Sequence, residues 1–274
     1  MEGFGEYGFP ESHAASFALL VYASSWLKCH HPDAFLCGLL NAQPMGFYAP
    51  AQLIQDAQRH GVTILPVDIQ HSAYNTELQA PHSTTQQTNT KLVPVRLGLM
   101  RINHLGTAAA MRIIEARKHK PFESVEDLAS RAQLDRSDLQ ALADANALES
   151  LAGHRRQAVW QSAGVRTSKN SDLLVNTYPR EHTLALPKAS QLDDMLADYR
   201  ATGSSLQHHP LSFLREQLGA YKIEPVDTLR HYPNGRLARA CGIVTHRQRP
   251  GTAHGTVFLN LEDETGNVNV IVWN

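Results

Sequence analysis

Apolar residues recur at three-and-four spacing through the first part of the chain and change to a spacing of two near its end. Phe17, Leu20, Val21, Ser24 and Leu27 share one helical face. The run from Ala14 to Leu27, interrupted by small serines, predicts a buried helix rather than a membrane span. Pro32 suits a first helical turn, and Phe35, Leu36, Leu39 and Leu40 carry a second stripe that Pro44 and Gly46 end. A third helix is expected over Ala51–His60, stopped by Gly61. A short strand, Val62–Leu65, follows and Pro66 breaks it. Residues 70–90 are polar, with 83–90 expected as a mobile loop. Lys91–Leu99 is expected as a strand. Gly106–Ala163 should hold four short helices, divided at Pro121, at Gln133-Leu134 and at Gly153. Residues 167–190 form a linker, and Asp193–Arg200 and Leu211–Leu218 are helical pieces. From Arg236 the period of two predicts three strands, the last over Val268–Val272. The resulting fold class is mostly α with a small β module. Three strands leave an edge that natural sheets cover, so the chain is expected to be truncated within a larger barrel.

Composition narrows the class. Of 274 residues, 42% are hydrophobic and 19% charged, which fits packed domains rather than disorder. Three scattered cysteines (Cys29, Cys37, Cys241) give no disulfide framework, and no secretory start is present, so a cytoplasmic setting is expected. Net charge is −1, yet its distribution is uneven. Between Lys91 and Lys120 stand Lys91, Arg96, Arg101, Arg112, Arg117, Lys118 and Lys120 against Glu115 alone. Arg155, Arg156, Arg166 and Lys169 follow without an acid over 151–169. Such segments are what phosphate contact would require; a solvated face with its acids elsewhere fits them equally. The cluster Cys29-His30-His31 with Cys37 lacks the spacing of a zinc site, so no metal is expected there.

Several segments, in order, resemble bacterial C-family DNA polymerase alpha subunits. Tyr7-Gly8-Phe9-Pro10-Glu11-Ser12-His13 with Trp26-Leu27-Lys28 resembles the end of the fingers, and Ile64-Leu65-Pro66-Val67-Asp68-Ile69 the segment after it. Leu97-Gly98-Leu99 through Ala116-Arg117 resembles the entry of a tandem helix–hairpin–helix. Tyr199-Arg200-Ala201-Thr202-Gly203, His209-Pro210-Leu211 and Arg247-Gln248-Arg249-Pro250-Gly251-Thr252 are similar to the error-prone ImuC-type branch, as is Leu261-Glu262-Asp263-Glu264-Thr265-Gly266 within an OB-fold. Glu11 stands where replicative members carry lysine. The resemblance implies four parts: fingers over 1–90, tandem helix–hairpin–helix over 91–166, a linker with short helices over 167–235, and a partial OB-fold over 236–274.

It also implies roles. Ser12 and His13 would lie near an incoming dNTP; otherwise they are a helix cap and a surface histidine. The turn Ile102-Asn103-His104-Leu105-Gly106-Thr107 would hold DNA phosphate through backbone N–H groups, with Arg101, Asn103, His104, Gly106, Thr107 and Arg112 at the contact. His104 replaces a glycine of the family pattern, and Gly106 is expected at positive φ. A second hairpin over Leu139–Leu148 would turn at Asn146, and Arg155 and Arg156 would join from the basic segment after it. Arg247, Arg249, Thr252 and His254 line a loop suited to single-stranded template, with Phe258 and Trp273 as the available stacking rings. No catalytic residue is expected. The carboxylates that hold two Mg²⁺ in a polymerase have no counterpart here, Asp193-Asp194 lying in a polar helix; in the family they belong to the palm. Primer–template DNA, a sliding clamp and the ImuA and ImuB accessory proteins are the implied partners. The whole would serve translesion synthesis without being active alone. A stand-alone DNA-binding or adaptor protein from a split gene, and a helical scaffold without DNA contact, are the alternatives.

Overall fold

Pro32 opens a helix whose first-turn acid, Asp33, is buried and used twice: it accepts from Ala34 N at 2.9 Å and from Val93 N at 2.7 Å. A carboxylate near a helix start is favoured by the exposed amides there, and here it also ties the helix to a segment sixty residues on. The computed structural model describes residues 11–46, 48–79, 92–165, 184–252 and 255–274. The expected loop over 83–90 and most of the linker over 167–190 fall outside them. The described chain divides into two compact units, one of residues 1–189 and 197–206, the other of 190–196 and 207–274.

The first unit begins with α1 (Glu11–His30), α2 (Pro32–Asn41) and α3 (Pro50–Arg59). Leu36, Leu40, Ile54 and Ala57 face inward, and Gly61 at φ 82 ends the third helix. Strand β1 (Ile64–Leu65) runs parallel to β3 (Val95–Arg96), which pairs antiparallel with β2 (Glu77–Leu78). β2 falls in the polar stretch where no strand was expected; both of its residues are exposed, and it forms through pairing with β3, which composition does not register. After a 3₁₀ turn (Leu99–Arg101) come α4 (Thr107–His119), α5 (Val125–Arg131), α6 (Arg136–Asp144), α7 (Glu149–Ala152) and α8 (Arg155–Gly164). The expected four helices are thus five, because Asn146 adds a break. One core runs from Leu36 through Ile69, Val95, Leu99, Ile113, Leu128 and Leu142 to Ala158. It passes through the sheet that a boundary at residue 90 would divide.

α1 corrects the expectation of a buried helix. Leu19, Leu20, Val21 and Tyr22 are 72%, 64%, 61% and 73% exposed. Helical spacing says which residues share a face; it does not say that a neighbour covers it.

Helix α9 (Gln191–Thr202) contributes residues to both units. In the second unit, a 3₁₀ turn (Pro210–Leu214), α10 (Arg215–Ala220) and α11 (Val226–Arg230) precede an antiparallel sheet in the order β4 (Ile243–Gln248), β5 (Val257–Glu262), β6 (Asn267–Val272). α11 was not expected from the sequence. Val244, Leu261 and Val268 align across the strands, as do Arg247, Leu259 and Val270, giving one face that is apolar except for Arg247. A register shift between Val244 and His246 turns the other face to His246, Asn260 and Asn269, then Gln248, Phe258 and Ile271.

Asp263 ties the β5–β6 turn to the helices. Its carboxylate accepts from Thr265 N, Thr265 Oγ1, Gly266 N and Val226 N at 2.7–3.0 Å, and from Arg215 Nη2 at 3.0 Å. Burial alone would raise this carboxyl, but the Thr265 hydroxyl and the three amides outweigh it and hold it below its ordinary value. The motif 261–266 therefore has a local structural cause.

Candidate nucleic-acid interface

The turn between the 3₁₀ segment and α4 follows from three side chains that face inward and one residue that bends the chain. Ile102 is buried, Leu105 packs on the core, and Ala109 and Ala110 continue the contact along α4. His104, between them, takes φ 66, the left-handed conformation that glycine adopts freely and other residues rarely. Gly106 is ordinary: as the residue before α4 it has φ −68 and ψ 146. The expectation that Gly106 needs positive φ is thus corrected, and the requirement moves two residues back, to His104.

The same geometry recurs. Gln133 at φ 51 and Asn146 at φ 55 each stand three residues before a helix, α6 and α7, as His104 stands before α4. The residue after each turns inward: Leu105, Leu134 and Ala147. Sequence reasoning placed a helix break at Gln133-Leu134 but missed the left-handed turn there, since glutamine carries no turn signal.

These turns differ in what they offer an anion. Ser124 caps α5, which carries Glu126 and Asp127 in its first turn. Asp135 and Asp138 close the start of α6, and Glu149 opens α7 within reach of Asn146 Nδ2 at 2.8 Å. Asp127, Asp135 and Asp138 accept backbone amides at the starts of α5 and α6, and all of these acids repel phosphate. Glu149 thus places a negative charge beside the turn of the second hairpin expected over 139–148. α8 has no first-turn acid, but His154 Nδ1 already accepts from Gln157 N at 3.2 Å. α4 alone among α4–α8 starts with neither acid nor side-chain cap. The amides of Gly106, Thr107 and Ala108 find no acceptor among the described residues, and Thr107 is exposed there, its Oγ1 2.9 Å from Tyr74 Oη.

Most of the arginines that marked this region as basic face the protein itself. Arg101 Nη2 donates to Thr202 O at 3.3 Å, and Asn103 holds Arg200 O through Nδ2 at 2.9 Å and Ala201 O through its amide at 2.8 Å. Both thus bind the open carbonyl end of α9. Arg112 donates to Ala132 O, Gln133 O and Asp138 at 2.9–3.4 Å. Arg117 reaches Ile69 O at 2.6 Å, and Arg96 reaches Pro66 O at 3.0 Å. Burial pushes the guanidinium pKa down at Arg96, Arg101 and Arg117. Lys118 pairs with Glu115 and Lys120 with Glu123, while Lys91, Arg166 and Lys169 lie outside the described residues. Arg155 pairs with Asp198, its side chain 10% exposed, and Arg156 Nη1 donates to Pro187 O at 3.3 Å. The positive segment read from the sequence is thus largely a set of internal clamps. A guanidinium's planar fork of donors suits helix-end carbonyls as well as it suits phosphate.

Elsewhere, Ser12 and His13 lie in the first turn of α1, their side chains outside the described residues. In the second unit Arg247, Arg249 and Thr252 are exposed at the end of β4 and its loop; His254 lies outside the described residues. Arg247 pairs with Leu259 and Phe258 with Gln248, which puts Arg247 and Phe258 on opposite faces of the sheet. Phe258 is 38% and Trp273 75% exposed. Cys37 Sγ donates to Thr76 O at 2.9 Å. Among the described residues, no group of three or more His, Cys, Asp or Glu side chains could hold a metal ion, and no helix is long and apolar enough to cross a membrane.

Residues 61–158 match the family described as helix-hairpin-helix motif. Three relatives, each named error-prone DNA polymerase, align with the whole chain. That of Ralstonia nicotianae is 54% identical over 275 residues, covering 100% of this chain and 25% of the relative. That of Azoarcus is 54% identical over 273 residues, again 100% and 25%. That of Methylococcus capsulatus is 49% identical over 284 residues, 100% and 27%. The chain spans about a quarter of the length of these relatives.

Proposed function

We propose that this chain, homologous along its entire length to a quarter of the error-prone DNA polymerases, is a segment that grips the DNA backbone for such an enzyme. The observation that carries the reading is the start of α4. Within the region matching a helix–hairpin–helix, this is the helix start whose amides are left open and free of acid. Open amides and the helix dipole converge there on an anion, and backbone donors read phosphate without regard to base.

On this reading the chain contributes grip rather than chemistry. Two-metal nucleotidyl transfer would be supplied by Mg²⁺-binding carboxylates elsewhere in the polymerase. The incoming dNTP would be met near Ser12 and His13, and the β4–β5 loop with Arg249 would lie along single-stranded template. Translesion synthesis, with a sliding clamp and the ImuA and ImuB proteins as partners, is the setting the resemblance implies.

Thr107→Glu tests it. An acid in a helix's first turn stabilises the helix by about 0.3–1 kcal/mol, so the fold should hold or gain. The same charge repels phosphate, so duplex affinity should fall at least tenfold. Because most of the arginines beside the hairpin are bonded to the protein's own carbonyls and carboxylates, one or two phosphate contacts should give a log K against log salt slope near roughly −1 to −2. Undiminished binding by the variant, or strong preference for one sequence, overturns the reading. Primer extension with Mg²⁺ and four nucleotides should yield no product from this chain alone.

A further inference from the structure

Helix α1 exposes the kind of surface that proteins bury. Leu19, Leu20, Val21 and Tyr22 are each more than 60% exposed. Successive residues step 100° around a helix, so these four apolar side chains point in almost every direction. A helix apolar all round belongs inside a packed structure rather than on one flat face. From Ala14 to Leu27 there is no ionisable side chain except Tyr22. A nucleic acid would need cations here, and no described helix is long and apolar enough to cross a membrane. The far end is anchored: Lys28 Nζ stands 2.9 Å from Asp56 Oδ2, and the Trp26 ring packs 4.7 Å from His30 and 5.5 Å from His31.

We propose that α1 is a docking helix, and that its occupant is an apolar groove in the rest of the polymerase. About three quarters of each relative's length lies outside the match, which is ample chain to form one. At least two elements must flank the helix, because a single surface that covers Leu19 and Tyr22, three residues apart on one side, leaves Leu20 and Val21 in water. The proposal rests on reading the chain as a polymerase segment. Docking would seat Ser12 and His13, at the N-terminal end of α1, at the wall of that groove, so insertion would also fix where the chain meets its nucleotide.

Hydrogen exchange read by mass spectrometry tests this on two samples: the 274-residue chain, and the intact Ralstonia nicotianae polymerase at the segment aligned with residues 14–27. The amides should exchange at least tenfold more slowly in the intact enzyme. A chimaera in which this chain replaces the matching quarter should show the same slowing, and Leu20→Asp should abolish it. Equal exchange in chain and intact enzyme overturns the proposal. So does protection that appears in the isolated chain: if concentration-dependent, a second copy covers α1; if not, another segment of this chain does. Protection conferred only by phosphatidylcholine vesicles assigns the face to lipid and also overturns it. A duplex titration of the same samples keeps the outcomes separate. Lost DNA binding with α1 protected rejects the DNA-grip reading alone, whereas retained binding with α1 unprotected rejects the groove alone.

Discussion

Gly98→Ala and Gly106→Ala are a matched pair flanking the hairpin, and the structure predicts opposite outcomes. A Cβ on Gly98 would stand 2.3 Å from Asn75 C and 2.4 Å from both Asn75 O and Tyr74 O. Those are backbone atoms, so no side chain can swing away. The two segments would have to part by roughly 1 Å or more, in an interior with little free volume. That breaks Leu99 N to Ala73 O at 2.9 Å and Met100 N to Tyr74 O at 3.0 Å. Two such bonds contribute about 1 kcal/mol each, and overpacking adds about 1–3 kcal/mol, so Gly98→Ala should cost about 3–5 kcal/mol. Tyr74 would also withdraw from Thr107, weakening DNA binding. Gly106 has open space around it and an ordinary φ of −68. Alanine caps a helix less well than glycine but loses less entropy on folding, by about 0.4–1 kcal/mol, so the net change should stay within about 1 kcal/mol. Because the chain forms two units, urea unfolding should be followed by exchange of residues 99–119 rather than by one global signal. If Gly98→Ala shifts that segment by less than about 1 kcal/mol, the close approach is not what holds the hairpin.

Three further outcomes follow from the same contacts. His104→Gly removes a left-handed cost of about 1–2 kcal/mol against a glycine penalty of about 0.5–1 kcal/mol; stability should be unchanged or slightly higher, and DNA binding equal or tighter at an unchanged salt slope. Weaker binding would mean that the imidazole itself touches DNA. Arg112→Ala should destabilise by about 1–2 kcal/mol, since the Ala132 and Gln133 carbonyls lose their donor, and leave the salt slope alone; a shallower slope by about 1 would place Arg112 on a phosphate. Asp263→Ala should cost about 3 kcal/mol by orphaning the amides and guanidinium gathered on its carboxylate. Because that carboxyl is held low, it stabilises the fold above the unfolded value of about 3.9 and the contribution disappears as pH falls through the lower folded value. Exchange of residues 263–267 should therefore accelerate below about pH 4 in the wild type and be insensitive there in Asp263→Asn.

By itself the sequence determined the local elements. Pro32, Gly61, Pro121 and Gly153 punctuate the chain where the helices begin and end, because their backbone constraints act within a residue or two. The change of period near the end gave the three strands, and His104 was visible as an anomaly because a glycine pattern has a stated φ requirement. The tertiary structure decided the rest. It assigned Arg101, Arg112, Arg117 and Arg155 to carbonyls and two carboxylates of the protein, which no count of charges reveals, since a guanidinium's partner depends on what the fold brings near it. It made Gly98 the sterically critical glycine instead of Gly106, because the clash comes from a loop more than twenty residues away. It left α1 uncovered, although helical spacing had promised a buried face. Spacing and backbone preference are properties of neighbours in sequence, whereas burial, charge pairing and close approach are properties of neighbours in space.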